Sequence, residues 1–528
     1  MTIAKKYNDL IFRPFKKVLV ANRGEIAIRV IRACRDLGLS PIAVYSEADI
    51  DSKHVSMADQ AWCIGPGPSA ESYLRIDHIL EVAKKSGAEA VHPGFGFLSE
   101  NANFADAVLA AGLVWIGPSP EAIHSMGDKT FAKRAVTAAG VPCSPGKNEP
   151  LKDVTDLKKV IQQIGYPVIL KAAAGGGGRG MRVIRKLEEI EDAFSNCQRE
   201  ALSYFGSDEV FCERFIERPR HVEIQVLADS KGNCLHLFER DCTIQRRNQK
   251  LIEEAPSSYI SEETRAEMGR VAVKAAQAVG YVNAGTCEFI MESPDKFYFM
   301  EMNTRIQVEH PVTEAITGID LVQWQLRIAR GEALPFAQKD LQIRGWAFEA
   351  RINSEDPFNG FRPSVGEILR LELPAGPGVR VDTHLYQGYR IPTHYDSMIA
   401  KIIVHGQNRE DAIAKLFRAL GETVIDGVET TIPYHQALLQ SQAFRAGEYT
   451  TRFVEENEAL LKDFETHQPE LSAEAALAAA LKIHFVRTGT PSLNEAQGLN
   501  AKAIQSNAFD VGELNPWSQA HRLDATRR

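Results

Sequence analysis

The sequence predicts an α/β protein: a parallel-sheet domain first, then a small mixed lid, then a large mixed α+β domain. Three observations predict it. Short β-type runs alternate with amphipathic segments over the first 127 residues, the pattern of a parallel sheet covered by helices. A glycine tract, Gly175-Gly176-Gly177-Gly178, lies between two strand-like runs rather than before a helix. Two apolar runs, 284–291 and 297–300, flank the turn-forming residues Glu292-Ser293-Pro294-Asp295-Lys296, which predicts an antiparallel hairpin.

Size and composition narrow the classes. A chain of 528 residues suggests three or four domains. Its 44% hydrophobic and 25% charged content is that of a soluble globular protein. A net charge of −8 gives no support for nucleic-acid binding, so basic residues act locally. Eight scattered cysteines form no CxxC pair and no zinc-ligand spacing, which fits buried thiols in a reducing compartment. No apolar run has membrane-spanning length, and Met1 to Phe15 lacks a secretory or transit pattern. A cytoplasmic protein with no membrane or nucleic-acid partner is expected.

In order, Lys17 to Asn22 is a strand, Gly24 to Leu37 a helix closed by Gly38, and Ile42 to Tyr45 the next strand. A further strand, Ala88 to His92, leads into Pro93-Gly94-Phe95-Gly96-Phe97 and a helix near 103–111. This domain covers 1–127. A second unit, 128–216, has a helix (154–164), a strand (166–171), the glycine tract, a strand (181–184), a helix (187–204) and a strand (209–215). Its glycine-rich tip suggests a mobile lid. The third unit, 217–463, carries the hairpin and Gly345 to Ile352. The remainder, 464–528, has an Ala-rich helical stretch and a polar end, and reads as an appendage for partner docking.

The hairpin is the chemical centre. A turn on Pro294 and Asp295 places Glu288 directly opposite Glu301, since the two are equally far from its centre. From Glu301 the residues alternate: Glu301, Asn303, Arg305, Gln307 and Glu309 fall at every second position, so an extended chain puts them on one face. Like charges across a strand pair repel. Two carboxylates and an amide amid apolar residues call for a cation, and oxygen-only ligands suit Mg²⁺, or Mn²⁺ in its place. The alternative is a solvated hairpin whose glutamates face water.

The glycine tract matches GxGxxG only superficially, since Met181-Arg182-Val183-Ile184 reads as strand and the dinucleotide fingerprint needs a helix there. Strand–glycine loop–strand is a flap whose backbone N–H groups can close over phosphates, or else a plain flexible turn. Lys171 ends the apolar run before the flap, and Lys129 follows Met126-Gly127-Asp128. Each suits a phosphate, or is a surface lysine. Arg218 to Val226 and Glu239 to Lys250 are charge-dense without being helical. They suit small anions and ribose hydroxyls, or form a salt-bridged strand surface.

The chain resembles the biotin carboxylase family within the ATP-grasp enzymes. The matching segments are Ala21-Asn22-Arg23-Gly24-Glu25-Ile26-Ala27, His92-Pro93-Gly94 with Phe97 to Asn101, Met126 to Lys129, the flap, Arg220 to Gln225, Gln245 to Lys250 and Glu301 to His310. They span about 15–460 in order. The resemblance implies a Rossmann-like first domain and an ATP-grasp body. It implies that Lys129 and Lys171 bind ATP phosphates under Gly176, Gly177 and Gly178. Glu213, the backbone to Ile216, His221 and Gln245 would hold adenosine. Glu288 and Glu301 would bind Mg²⁺, with Asn303 close by. Lys250, Arg305, Gln307 and the Val308 backbone would hold bicarbonate, Glu309 would deprotonate it, and Arg351 would stabilise the enolate-like oxygen of biotin.

There are departures. Phe95 stands where bacterial stand-alone subunits carry Tyr, Asn248 replaces a His and resembles the acyl-CoA carboxylase branch, and Ala174 replaces a flap glycine. No methionine is followed by lysine, so no biotinylation site is expected, and a carboxyltransferase domain would need several hundred further residues. The expected protein is therefore the biotin carboxylase subunit of a multi-subunit acyl-CoA or pyruvate carboxylase. It would be a homodimer that works with a separate biotin carboxyl carrier protein and a carboxyltransferase subunit. The alternatives are another ATP-grasp carboxylate–amine ligase and a catalytically silent scaffold subunit.

Overall fold

The structure is a computed structural model that describes residues 12–127, 129–147, 149–172 and 180–460. The glycines Gly176, Gly177 and Gly178 and the appendage 464–528 lie outside the described residues.

The first domain is a five-stranded parallel sheet: β1 (Lys17–Val20), β2 (Ser40–Tyr45), β3 (Gln60–Cys63), β4 (Ala90–His92) and β5 (Val114–Trp115), in the order β3-β2-β1-β4-β5. Val18 and Val20 face one side, and Leu19 and Ala21 the other, as the two-residue period of a strand requires. The Val18 face packs on the helix Gly24–Asp36 and on Leu321, Val322 and Leu326 of a helix from the body of the protein. One continuous core thus ties the first domain to the rest.

The lid is a three-stranded antiparallel sheet, β6 (Val168–Ala172), β7 (Met181–Ile184) and β8 (Val210–Arg214), in the order β7-β6-β8. It has its own core, in which helices Val154–Ile164 and Ile190–Phe205 cover the sheet. The helix expected from 187 starts as a tight 3₁₀ turn, Leu187–Glu189. As expected, strands rather than a helix flank the glycine tract, with Lys171 opposite Met181.

The body is built on β9 (Arg220–Ala228), β10 (Cys234–Arg246), β11 (Gln249–Ala255), β12 (Asn283–Ser293), β13 (Lys296–Asn303) and β14 (Trp346–Asn353). After two short strands, β15 (Glu355–Asp356) and β16 (Arg362–Pro363), come β17 (Arg370–Glu372), β18 (Val379–Thr383), β19 (Met398–Gly406) and β20 (Val424–Asp426). Eight of these form one antiparallel sheet, β13-β12-β9-β10-β11-β14-β19-β18. No helix among the described residues is long and apolar enough to cross a membrane.

The hairpin pairs as expected, with Glu288 opposite Glu301, but not by simple alternation. Register shifts fall between Glu288 and Phe289 and between Met291 and Ser293. Met300 is the extra residue on β13 and Glu292 the extra residue on β12, and the two offsets cancel. The Met300 bulge also reverses the facing of the residues after it. Phe297, Phe299 and Met302 lie in the core, whereas Glu301 and Asn303 line the cavity. The expected extended run to Glu309 stops earlier, at Asn303. Thr304 gives its N–H to the Glu100 side chain instead of a strand neighbour, and the helix His310–Thr317 begins with proline in its first turn.

Candidate active site

The site begins as a row of side chains across the sheet. Register places Glu301 on β13 opposite Glu288 on β12, Glu288 opposite Glu223 on β9, and Glu223 opposite Arg240 on β10. Three carboxylates in line would repel unless cations intervened. Arg240, fully buried, donates from Nε to Glu223 at 2.5 Å, and its remaining donors reach Gln225, Thr286 and Thr313. Every face of its planar fork is used, which is what makes a buried arginine tolerable.

Lys250, on β11, reaches over this row. Its Nζ lies 2.7 Å from Glu223, 3.3 Å from Glu288, 2.6 Å from Glu309 Oε1 and 3.4 Å from Gln307 Oε1. Arg351, on β14, donates to the other Glu309 oxygen at 2.8 Å and to Glu253 at 2.6 Å. Glu309 is closed off from solvent, with the Cys242 thiol 3.9 Å from Oε1. Burial alone would raise the Glu309 carboxyl, but Lys250, Arg351 and Arg240 outweigh it and hold it well below the usual range. Glu288 is treated alike: burial opposes its charge, Lys250 and His221 favour it more, and its pKa falls well below normal. Burial dominates at Glu253, pushing it up to about 7 despite Arg351.

Glu288 is also where the amides converge. Asn303 Nδ2 and Gln307 Nε2 donate to its Oε1 at 2.9 and 3.0 Å, and His221 Nε2 stands 3.2 Å from Oε2. Arg305 is anchored from the first domain: its Nε lies 2.9 Å from Glu100, and a second nitrogen donates to Asn303 Oδ1 at 3.1 Å. The Val308 carbonyl accepts from Lys401 at 2.7 Å.

At the lid end, Lys171 on β6 lies 3.1 Å from Glu213 on β8, and Lys133 makes a short contact with the other Glu213 oxygen. Burial acts to raise Glu213, but Lys171 and Lys133 outweigh it and hold it at about 2. Gln245 lines the same cavity near the end of β10. Ile216 is buried just past β8, away from the lining. Lys129 opens the helix Lys129–Ala138, and its side chain is outside the described residues.

Lys171, Glu213, His221, Gln245, Lys250, Glu288, Arg305, Glu309 and Arg351 share one cavity of about 920 Å³, lined also by Phe95, Phe97, Arg23 and Glu301. Asn22 shapes its far wall, donating to the carbonyls of Pro93 and Phe95 at 2.7 Å each. Gly94, with φ +64°, has no room for a side chain, since a Cβ would lie 2.8 Å from the Asn22 amide.

Sequence reasoning picked out neither Glu223, Arg240, Lys133 nor Glu100 as individual site residues. Lys133 had a usable signal, since it sits four residues, about one helical turn, after Lys129. Glu223 and Arg240 had none beyond charge density.

An acidic hairpin on an antiparallel sheet, facing a lid that carries lysines, defines an ATP-grasp enzyme. Family models match in chain order. Residues 14–123 match "Biotin carboxylase, N-terminal domain", 128–337 match "Carbamoyl-phosphate synthase L chain, ATP binding domain", and 349–456 match "Biotin carboxylase C-terminal domain". Biotin carboxylase 1 of Bacillus subtilis is 54% identical over 441 residues, covering 83% of this chain and 98% of the relative. The biotin carboxylase of Haemophilus influenzae is 52% identical over 441 residues, again covering 83% and 98%. A solved biotin carboxylase domain dimer of 2-oxoglutarate carboxylase from Hydrogenobacter thermophilus, in complex with MgADP, ADP and bicarbonate, is 49% identical. It has a TM-score of 0.81 and covers 85% of this chain and 98% of that one. The chain belongs to the biotin carboxylase family.

Proposed function

We propose that this chain uses ATP and bicarbonate to carboxylate biotin on a separate carrier protein, through carboxyphosphate, as the first half-reaction of a biotin-dependent carboxylase. The observation that carries this reading is Lys250. Its ammonium touches both Glu288, in the acidic row, and Glu309, a carboxylate held ionised. A cation pocket beside an ionised base suits a small oxyanion that must lose a proton. The Hydrogenobacter relative, bound to MgADP and bicarbonate, supports the same ligands here.

Glu288 and Glu301 stand in register and line the cavity with Asn303, so their oxygen donor set fits Mg²⁺ or Mn²⁺. Once bound, such an ion neutralises charge on the transferring phosphoryl group. Lys171, with Lys129 and Gly176, Gly177 and Gly178 of the flap, would hold the phosphates. Glu213, the backbone to Ile216, His221 and Gln245 would hold adenosine. Lys250, Arg305, Gln307 and the Val308 backbone take bicarbonate, the arginine fork matching a planar oxyanion. As bicarbonate draws Lys250 to itself, Glu309 is released to take the bicarbonate proton. The freed oxygen attacks the γ-phosphorus, ADP leaves and carboxyphosphate forms. Exclusion of water from the site would protect that intermediate. Carboxyphosphate then yields CO₂ and phosphate, phosphate removes the N1 proton of biotin, and Arg351 stabilises the enolate-like ureido oxygen as N1 attacks CO₂.

In this reading the working unit is a homodimer, served by a biotin carboxyl carrier protein and a carboxyltransferase subunit that selects the final acceptor. The test is ADP release by the purified protein with Mg²⁺ and free biotin. Release that requires bicarbonate and is stimulated by biotin is expected. Nucleotide binding without turnover would indicate a silent scaffold, and turnover driven by another carboxylate and an amine would indicate a different ligase.

A further inference from the structure

The segment Ala21 to Ala27 has so far supplied only the cavity wall, yet it carries a buried carboxyl group, whose pKa burial pushes up although Lys401 acts to lower it. Glu25, in the first turn of the helix Gly24–Asp36, is 4% exposed. Neither of its oxygens accepts a conventional hydrogen bond; Oε1 lies 3.3 Å from Lys401 Nζ instead.

Lys401 is the stranger residue. It sits in the middle of β19, fully buried, in the apolar run Ile399 to Val404. Lysine is almost never fully buried unless paired. Its strand neighbours are Arg351 on β14 and Asp382 on β18. Burial works against its charge, but Glu25, Glu349 and Asp382 outweigh it and hold its pKa above the usual lysine value. The ammonium is nearest to none of these three carboxylates. It lies 2.7 Å from the main-chain oxygen of Val308, against 3.3 Å for Glu25 and 4.0 Å for Asp382.

Val308 immediately precedes Glu309. Lys250 holds one Glu309 oxygen and Arg351 the other, while Lys401 holds the peptide on which that side chain is mounted. Three cations from β11, β14 and β19 thus fix the base and its backbone from separate directions.

We propose that Lys401 is a positioning residue for the bicarbonate turn, with Glu25 of the first domain holding its ammonium against the Val308 carbonyl. The inference rests on the bicarbonate-binding role proposed for Gln307, Val308 and Glu309. It assigns the Asn22-Arg23-Gly24-Glu25 segment a role in substrate placement that reaches the site through Lys401, without contact with substrate. Losing the grip lets the turn shift, and sub-ångström placement matters most for a small ligand held by few groups.

The test is steady-state kinetics on Lys401→Met in the full-length protein, with circular dichroism and a thermal melt as the folding control. A rise of about 10-fold or more in KM for bicarbonate is expected, with KM for ATP within about twofold of wild type. Unchanged bicarbonate KM, or ATP and bicarbonate values rising together, overturns the proposal, since a purely structural lysine would show one or the other. Glu25→Gln is nearly isosteric and removes only the charge. It should raise the bicarbonate KM about threefold, again sparing ATP. If Lys401→Met does not fold, Glu25→Gln decides: a selective rise supports the proposal and no change sinks it. Wild-type protein lacking bicarbonate-dependent ADP release would instead refute the assigned reaction, which separates the two failures.

Discussion

The Nζ of Lys250 lies 2.6 Å from Oε1 of Glu309, and both side chains are almost wholly removed from solvent. In the proposed reaction Glu309 is the base, and a base so paired is ionised but occupied. It becomes useful only when another anion claims the ammonium, which couples proton removal to arrival of the substrate that carries the proton.

Glu309→Gln keeps the shape of the side chain and removes the base. Bicarbonate-dependent ADP release should fall by about 10²–10³-fold in kcat, with KM for ATP little changed. Steady-state rates at saturating ATP check this; a loss under tenfold would reassign the proton acceptor.

Glu301→Gln removes one of the opposed carboxylates of the hairpin. The Mg²⁺ concentration for half-maximal activity should rise by about tenfold, and Glu288→Gln should act in the same direction. Titration of activity with Mg²⁺ at fixed ATP reads both.

Arg351→Lys keeps a charge but loses the fork that joins Glu253 to Glu309. Biotin carboxylation should drop by about 10²-fold, since an ammonium cannot serve two carboxylates and the ureido oxygen in one plane. Carboxybiotin formation, compared with ADP release, shows which half of the reaction is lost.

Glu213 links acid stability to the lid. Lys171 and Lys133 hold its carboxyl at about 2, below its usual 4.5. A carboxylate depressed on folding contributes stability that is full above the unfolded value and is lost as pH falls through the folded one. Glu213→Gln should cost about 3 kcal/mol near neutral pH by leaving buried ammonium groups unpaired. Between about pH 5 and pH 2.5 the wild type should lose more stability than the variant. Urea unfolding at a series of pH values tests this, and parallel pH curves would count against the pairing.

Much of this was legible in the sequence because hairpin pairing is local. The turn at Pro294 and Asp295 was enough to set Glu288 against Glu301. The third carboxylate of the row was not legible, because Glu223 meets Glu288 through a register between strands some sixty residues apart. Lys401 was hidden differently. One lysine in an apolar strand suggests a solvated edge position, and only the packing of Glu25 and Val308 against it reveals a buried one. The bulges were invisible because their offsets cancel in the pairing.

Those cancelling offsets make β12 and β13 behave like a reading frame. Phe297 and Phe299 point into the core at odd-numbered positions, and strict alternation through Met300 would turn Glu301 inward with them; the bulge at Met300 keeps Glu301 on the cavity side. Flattening that bulge with every residue kept would set Met300 opposite Glu288 and exchange a carboxylate for a methionine at the cavity wall, whereas deleting Met300 would remove the bulge and leave Glu301 facing Glu288. The facing of the carboxylate therefore depends on the bulge being kept wherever Met300 is kept.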